Sequence, residues 1–492
     1  MQPTAFTYYR SRTPILTILA ACVIVVALGA LISTGDTTPF LIALIAACGI
    51  ALFLAPAWWG LIIYFTYSAF SPLLKFVAAY NTIVHLGPTL VLLSVLFRWL
   101  SAQRGRNGAN LGVGLARLPL VRLVGAFVAL SVLMMFSPLT TPIVALGGII
   151  SYILPVVFFP IAFTELRTRR RISVFITTTV ALAVLGTILT LFFVAIGPQR
   201  VASFGPAFAT AALNPGNAYI DASGQHQGYL PLTVVGGGGS YIIALLLLMA
   251  ILIYRATFMA RTANVVLAAP LIVVLAASII AGGVRLSIAS TIIGLLVVVL
   301  AGRRRAIVPT LVGLGLAILA LNAAASLTNG AAIVRAATLL NPAQALKDSG
   351  RTSLIQQIIP LALNHPLGQG MGRVGPGSGS VIAASGASIT SIGYDNMLLA
   401  ILSELGLVGA ILLSAIAVMF VVQGWRVYRR LSDPGLKSVA LACTASSVAL
   451  TSSWVAGPIL FQAPGNIYFW ALAGLCFALP YVEQRERQDG QQ

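Results

Sequence analysis

One carboxylate and two guanidinium groups are the side chains of this chain best suited to chemistry. Asp395 precedes an apolar run, Arg285 lies between two apolar runs, and Arg351 follows Gly350 in a polar stretch. A carboxylate can take the proton of a hydroxyl group, and paired guanidinium groups bind the oxygens of a diphosphate. Asp395 also suits a plainer role, because aspartate accepts hydrogen bonds from the first amides of a helix.

Both arginines have alternatives too. A charged side chain at the centre of a bilayer costs about 2.5–3.5 kcal/mol on insertion scales, so an arginine retained there indicates function. Arg285 would instead meet lipid headgroups if it lay in a short outer turn, where a long side chain can reach the interface. Arg351 would be a solvated loop residue if it held no anion.

Other polar residues nearby are candidates for holding a substrate: Arg335, His365, Arg373, Asn396 and Glu404. The two arginines suit the same phosphate groups. Asn396 could orient a sugar, and Glu404 either pairs with an arginine or serves function. His365 precedes Pro366, and this pair is more typical of a structural turn because proline disfavours helix at the residue before it.

The elements that must position these residues are membrane helices. Only 8% of the 492 residues are charged, 59% are hydrophobic, and the mean hydropathy is +0.99. A soluble domain carries roughly 25% charged residues. Continuous runs rich in Leu, Ala, Val and Ile recur at the length of a span, which predicts an all-α, polytopic integral membrane helix bundle of about 12–14 spans. The bundle is expected over residues 1–482, with a polar tail at 483–492.

The basic residues predict the orientation of the bundle. With both termini in the cytoplasm, most of the 29 basic residues fall on the inner side, as the positive-inside rule requires. The net charge of +19 is then explained by the basic residues that mark the inner side of the membrane. Nucleic-acid binding would need a basic face on a folded domain, and the sequence predicts none. Two long loops fall outside the cytoplasm, at 198–237 and 327–395. The first ends in a run of glycines at 236–239, interpreted as a flexible hinge.

The second loop holds most of the candidate residues. Residues 353–363 have the pattern of an amphipathic helix that lies on the membrane surface, with Pro360 as a kink. Glycine-dense sequence follows, and Gly370–Gly375 matches the spacing G-x-G-x-x-G. The dinucleotide interpretation is rejected, because that motif needs a preceding strand and a following helix. The four cysteines lie in apolar runs and the three histidines are separated, so no metal ligand set and no cofactor is predicted.

Several stretches resemble the O-antigen ligase and O-antigen polymerase superfamily, over residues 280–425. The resemblance rests on Val284-Arg285, on Gly350-Arg351, on Asn364-His365-Pro366-Leu367-Gly368-Gln369-Gly370-Met371-Gly372, and on Asp395-Asn396-Met397-Leu398-Leu399 continuing through Glu404-Leu405-Gly406. It implies a GT-C-like bundle with a large extracytoplasmic loop, in the bacterial inner membrane. The implied activity is metal-independent, inverting transfer of a glycan from an undecaprenyl-diphosphate carrier to an acceptor glycan or glycolipid.

The resemblance also implies roles for individual residues. Arg285 and Arg351 would bind the diphosphate, and Asp395 would be the base. In ligases the position that matches Asp395 is typically histidine, so the aspartate favours an exopolysaccharide-type polymerase, for which a chain-length regulator is a further partner. An O-antigen ligase that joins the glycan to a lipid A core is the alternative within the family. A lipid-linked oligosaccharide flippase is the alternative from another class, since flippases are also polytopic.

Overall fold

The computed structural model describes a large part of the chain, and the fold and site below concern only that part. The described residues are 57–77, 92–101, 118–205, 208–209, 218–220, 226–228, 237–254, 263–281, 285–302, 315, 319, 322, 356, 358–373, 396–455, 457 and 465–489.

The described elements are almost all helices, as the hydropathy predicted. They are α1 (Ala57–Val77), α2 (Leu92–Ser101), α3 (Pro119–Met134), α4 (Pro142–Tyr152), α5 (Phe158–Glu165), α6 (Arg169–Ala202), α7 (Gly237–Tyr254), α8 (Ala263–Ala281), α9 (Arg285–Gly302), α10 (Ile358–Asn364), α11 (Met397–Arg430), α12 (Pro434–Ser452) and α13 (Gly465–Asp489), with 3₁₀ turns at Leu154–Val157 and Ser453–Val455. Two strands, β1 (Ala218–Ile220) and β2 (His226–Gly228), form a small antiparallel hairpin within the predicted loop 198–237.

Among the described residues, 4 helical stretches are long and apolar enough to cross a membrane: Val144–Glu165, Arg169–Gly197, Met397–Arg430 and Gly465–Asp489. Shorter apolar helices accompany them, among them Pro119–Met134 and Leu286–Ala301. The all-α, polytopic membrane class is therefore confirmed. The number of spans, the GT-C-like arrangement and the domain limits stay predictions, since the first 56 residues and most of 303–357 lie outside the described part.

The centre of the bundle is formed by α7, α12 and α13. The residues from Tyr241 to Ile251 of α7 are buried on every face, which is typical of a helix enclosed by other helices. α12 packs against α7, α9 and α11, and α13 packs against α5 and α12. Aromatic rings join the layers: the ring of Phe65 in α1 lies 4.8 Å from Tyr468 in α13 and 5.0 Å from Phe175 in α6.

One local prediction is corrected by the structure. The glycines at 237–239 begin α7 rather than forming a flexible hinge, because the long apolar helix that follows extends its hydrogen bonding through them. The amphipathic helix predicted at 353–363 is described as helical at Gln356 and in α10, and the kink at Pro360 stays a prediction. The polar tail is helical as far as Asp489, and the Glu483 carboxylate accepts hydrogen bonds from the amides of Ser432 and Asp433.

Candidate active site at the break in helix α11

Helix α11 is broken at Gly406. This residue has φ +66° and ψ −166°, which divides α11 into a short part, residues 397–405, and a long part, residues 407–430. The short part is almost wholly buried, and the Glu404 side chain within it has 0% of its surface exposed. A left-handed φ favours glycine, so the Glu404-Leu405-Gly406 sequence is where the helix can be interrupted at least cost.

The broken turn is filled by residues 365–373, here called the docking segment. The Gln369 amide donates to the Ser403 carbonyl (2.7 Å), and the Gly370 amide donates to the Glu404 carbonyl (3.1 Å). In return, the Leu407 amide donates to the Pro366 carbonyl (2.9 Å). Buried backbone groups must be paired, and a helix break exposes amides and carbonyls that have lost their helical partners. The docking segment supplies those partners.

The opposite side of the docking segment packs against the turn between α3 and α4. The Thr140 hydroxyl donates to the Met371 carbonyl (3.0 Å), and the Ser137 hydroxyl donates to the Gln369 carbonyl (3.4 Å). A Cβ atom on Gly370 would lie 2.9 Å from the Ser137 Cβ, and one on Gly372 would overlap the Val144 carbonyl. Both glycines, like Gly368, have positive φ. The alternating glycines of this motif therefore allow the backbone to be enclosed on both sides.

Asn396 begins the short part of α11 as its N-cap. Its Oδ1 atom accepts hydrogen bonds from the amides of Leu398 (2.9 Å) and Leu399 (3.2 Å). The capping role that the sequence offered to Asp395 thus falls to the next residue. The side-chain oxygen of Asn396 is engaged in the cap and the residue is 4% exposed, and its predicted sugar-orienting role stays a prediction.

Glu404 is buried in the short part of α11, two residues before the break. The sequence offered an arginine as the partner of Glu404 or a role in function, and both stay predictions. Asn396 and Glu404 are separated by roughly 12 Å along the helix at about 1.5 Å per residue.

Arg373 ends the docking segment, and only part of its guanidinium group is hydrogen-bonded to described residues. One donor, Nη1, is held by the side-chain oxygen of Gln369 at 3.0 Å. The Nε atom is buried and has no acceptor among the described residues. A buried donor without an acceptor is costly, so this nitrogen is suited to an anion that arrives from outside. His365 makes the structural turn that was predicted: its amide donates to the Leu361 carbonyl (3.0 Å), and its carbonyl accepts from the Gly368 amide (2.9 Å).

The structure thus brings His365, Arg373 and Glu404 together at the break, with Asn396 at the start of the same short helix. Arg285 is the first residue of α9, and only its backbone is described. Arg335, Arg351 and Asp395 lie outside the described residues. Their roles stay predictions.

Sequence reasoning missed the residues on α3 and α4 that complete the site. Ser137, Thr140 and Gly148 contact the docking segment, yet Ser137 and Thr140 lie more than 230 positions away from their partners in the chain. Hydroxyl residues and a glycine inside an apolar run carry no signal that distinguishes contact with a distant loop from ordinary helix packing.

A comparison with protein families finds a match in the part of the chain around this break. Residues 270–414, from within α8 to the long part of α11, match a protein-family model described as O-Antigen ligase. The resemblance to the O-antigen ligase and polymerase superfamily is confirmed, and the match supports a membrane glycosyltransferase of that type. A comparison with curated proteins gives no match.

Proposed function

We propose that this protein polymerises or transfers an undecaprenyl-diphosphate-linked oligosaccharide on the outer face of the bacterial cytoplasmic membrane. The observation that carries the proposal is the match of residues 270–414 to the O-antigen ligase family model, because this stretch contains the docking segment and the break in α11. Membrane lipids and an acceptor glycan or glycolipid are the other partners. Polymerisation is favoured over ligation, because Asp395 stands where ligases typically have histidine.

The donor site is assigned to arginines. Arg373 supports this role with a buried Nε that has no acceptor in the described part of the chain. Arg285 and Arg351 are proposed to complete the site, with Arg335 as a further contact. A lipid diphosphate is already a good leaving group, so it needs charge stabilisation more than protonation, and guanidinium groups supply it. Such contacts strengthen where water is scarce.

The reaction is a single displacement at the anomeric carbon. The acceptor hydroxyl oxygen forms the new bond to this carbon while the bond to the diphosphate oxygen breaks. The electron pair leaves with undecaprenyl diphosphate, and Asp395 takes the hydroxyl proton. Attack opposite the leaving group inverts the anomeric configuration. Because Asn396 already caps α11, capping does not require the Asp395 carboxylate.

A transporter remains the alternative that the broken helix could favour, since transporters build binding sites at discontinuous helices. Here the carbonyls of Ser403 and Glu404 and the amide of Leu407 are bonded to the docking segment. The break is therefore closed by protein. This supports a structural use of the discontinuity and an enzyme rather than a carrier.

The decisive experiment is glycan transfer by purified protein in lipid nanodiscs with an undecaprenyl-diphosphate-linked oligosaccharide. Polymerase activity yields longer glycans on the same carrier, whereas ligase activity needs an added lipid A core acceptor. We expect Asp395→Asn, Arg285→Gln and Arg351→Gln each to lower kcat/KM at least about 100-fold, and Arg373→Gln about 10-fold, since hydrogen bonds to charged groups contribute about 1.5–3 kcal/mol.

Arg429→Gln is the matched control, because Arg429 is exposed at the other end of α11. Addition of a chelator should leave the rate unchanged. Normal product length and amount in the Asp395, Arg285 and Arg351 variants would contradict the assignment. Movement of the lipid-linked glycan across the bilayer without a new glycosidic bond would identify a transporter.

A further inference from the structure

The backbone around Gln369 is held from two sides. Its amide donates to the Ser403 carbonyl (2.7 Å), and its carbonyl accepts from the Ser137 hydroxyl (3.4 Å). Two residues further, the Met371 carbonyl accepts from the Thr140 hydroxyl (3.0 Å). Ser403 belongs to the short part of α11, whereas Ser137 and Thr140 belong to the turn between α3 and α4. Because both neighbours hold the main chain, the Gln369 side chain starts from a backbone with little freedom to move.

The Gln369 side chain holds Arg373 from this fixed backbone. Its Oε1 atom accepts a hydrogen bond from Nη1 of Arg373 at 3.0 Å. The chain between the two residues curls, since Gly370 and Gly372 have φ of +97° and +87°. The contact therefore ties the guanidinium group of Arg373 to the break in α11.

The position of this hydrogen bond leaves one edge of the guanidinium group complete. Nη1 is the nitrogen on the same side as Cδ, and the Nε and Nη2 atoms form the opposite edge. The Nε atom is buried and has no acceptor among the described residues. Parallel N–H groups on one edge match the oxygens of a phosphate group, and this fork gives specificity as well as strength. Arg373 is thus held at the nitrogen that such a fork does not need.

The chemistry of the acceptor matters as much as its position. The amide of glutamine is neutral, so it orients a guanidinium group and leaves the positive charge for another partner. A glutamate at this place would hold the same nitrogen but would weaken the attraction for an anion. Arg171 provides the contrast within this protein, because its partner is the buried carboxylate of Glu165 at 2.9 Å. A neutral acceptor on Arg373 suits an anion site better than a purely structural contact.

We propose that Gln369 is a positioning residue for the donor, which holds Arg373 at Nη1 and presents its Nε–Nη2 edge to one phosphate group of the lipid diphosphate. This inference rests on the proposed function and gives Arg373 a defined mode of contact within that site. Orientation and charge can then be changed separately. Gln369→Met removes the acceptor with little change in size, and Gln369→Glu keeps an acceptor but adds a negative charge.

The test measures binding of radiolabelled undecaprenyl diphosphate to purified protein in nanodiscs, together with kcat, KM and thermal stability. We expect Gln369→Met to raise Kd and KM about 3- to 10-fold, with kcat changed less than about threefold. Gln369→Glu should raise them at least as much at unchanged or higher thermal stability, which a merely structural contact would not do. In protein that carries Arg373→Gln, adding Gln369→Met should change Kd less than about twofold. Gln484→Met, at an exposed glutamine of α13, is the control.

Four results would overturn the inference. Wild-type binding and turnover in Gln369→Glu would show that charge at this place does not matter. Additive effects of Gln369→Met and Arg373→Gln on Kd would show that the two residues act separately. Loss of stability in Gln369→Met at unchanged Kd would leave a structural residue. Equal competition by dioleoylphosphatidylglycerol would make this a site for phospholipid headgroups.

Failure of this inference can be distinguished from failure of the proposed function. If wild-type protein forms no glycosidic bond while binding of undecaprenyl diphosphate still depends on both residues, the proposed function fails and the positioned guanidinium group stands. If the wild type and all the Gln369 variants transfer the glycan equally well, only the role of Gln369 fails.

Discussion

Asn396 shows how one side chain decides what its neighbour can do. Its Oδ1 atom satisfies two amides at the start of α11, a task for which asparagine and aspartate are equally suited. The sequence placed both residue types side by side at 395–396, and nothing in their order says which one caps. The choice depends on the backbone that enters the helix, which local sequence does not determine.

The cap at Asn396 can be separated from contact with a sugar. Asn396→Ala removes both amide contacts and should lower the free energy of unfolding by about 1 kcal/mol, whereas Asn396→Asp should retain it. The measurement is thermal or denaturant unfolding in detergent, with the glycan-transfer rate measured in parallel. A large loss of activity in Asn396→Asp at wild-type stability would show that the amide group, and not the cap, is what matters.

At the scale of elements, the docking segment and the break in α11 supply hydrogen-bond partners to each other. A helix interrupted inside a membrane protein needs partners for its backbone, and a loop enclosed by protein needs partners for its own. The pairs 366–407, 369–403 and 370–404 satisfy both needs. At the buried break, water cannot replace these partners of the backbone amides and carbonyls. We therefore expect the docking segment and the short part of α11 to fold together.

Two adjacent glycines of α4 test this packing with a matched pair. A Cβ on Gly148 would lie 2.7 Å from the Met371 Cβ and 2.9 Å from the Gly372 amide nitrogen, whereas a Cβ on Gly147 would meet no described residue within 4 Å. Gly147→Ala should stabilise by up to about 1 kcal/mol, because alanine is the better helix former. Gly148→Ala should destabilise by about 1–3 kcal/mol and lower activity.

Thermal unfolding of both alanine variants, with the transfer rate, gives the comparison. Equal behaviour of the two would mean that the docking segment does not rest on α4.

Local pattern predicted the helices well and their contacts poorly. The apolar runs 172–196 and 286–301 correspond to Arg169–Gly197 and Leu286–Ala301, because hydropathy reports burial in lipid directly. The position of Gly406 in an apolar run does not reveal a break, since glycine also occurs in continuous membrane helices. What makes it a break is the docking segment, and a contact between distant parts of the chain leaves no trace in one sequence.

At the scale of the whole molecule, the length of α11 can be compared with the thickness of a membrane. Its long part has an exposed apolar stripe that ends in exposed arginines: Leu407, Ile411, Val418 and Val422, followed by Arg426 and Arg429. Leu407 and Arg426 are separated by roughly 28 Å at about 1.5 Å per residue, close to the thickness of about 30 Å of a bilayer core. The positive-inside rule predicts these arginines at the inner surface, and we then expect Leu407 at the outer boundary of the hydrocarbon.

This depth predicts where α10 and the docking segment sit. Leu363 and Leu367 are 75% and 65% exposed, and the residue before Leu367 is bonded to Leu407. We expect both leucines to enter the outer interface of the bilayer. A bimane label on Leu367→Cys should be quenched best by a nitroxide near the lipid headgroup, and one on Val418→Cys by a nitroxide near the chain end. Labelled wild-type protein provides the blank, and quenching by a water-soluble quencher alone would contradict this depth.

At the predicted cytoplasmic end of the bundle, the ion pairs differ in burial and therefore in how much they contribute to stability. Arg171 pairs with Glu165 at 2.9 Å, and the Glu165 side chain is only 3% exposed. Arg169 pairs with Asp433 and Glu486, both at 2.7 Å, but its own side chain is 41% exposed. Exposed pairs contribute up to about 1 kcal/mol, whereas removal of one partner of a buried pair costs about 3–5 kcal/mol.

Arg171→Gln should therefore destabilise the protein clearly more than Arg169→Gln in thermal unfolding. Adding Glu165→Gln to Arg171→Gln should recover part of the loss, because the buried charge is removed as well. No recovery in the double variant would mean that Arg171 acts through its packing on Trp58, over which its guanidinium lies at 5.6 Å.

The contacts of Arg169 have a mechanical consequence for the opposite end. They pin the start of α6, the turn after α11 and the end of α13 to one another. Helices that are joined at one end can separate only by rotating about that end. The displacement of each residue then grows in proportion to its distance from the ion pairs. Gly406 lies roughly 36 Å along α11 from Arg430, so a rotation of about 5° would move it by about 3 Å while the ion pairs stay closed. A rotation of this kind would therefore strain the hydrogen bonds between the docking segment and the broken helix before it opened the ion pairs.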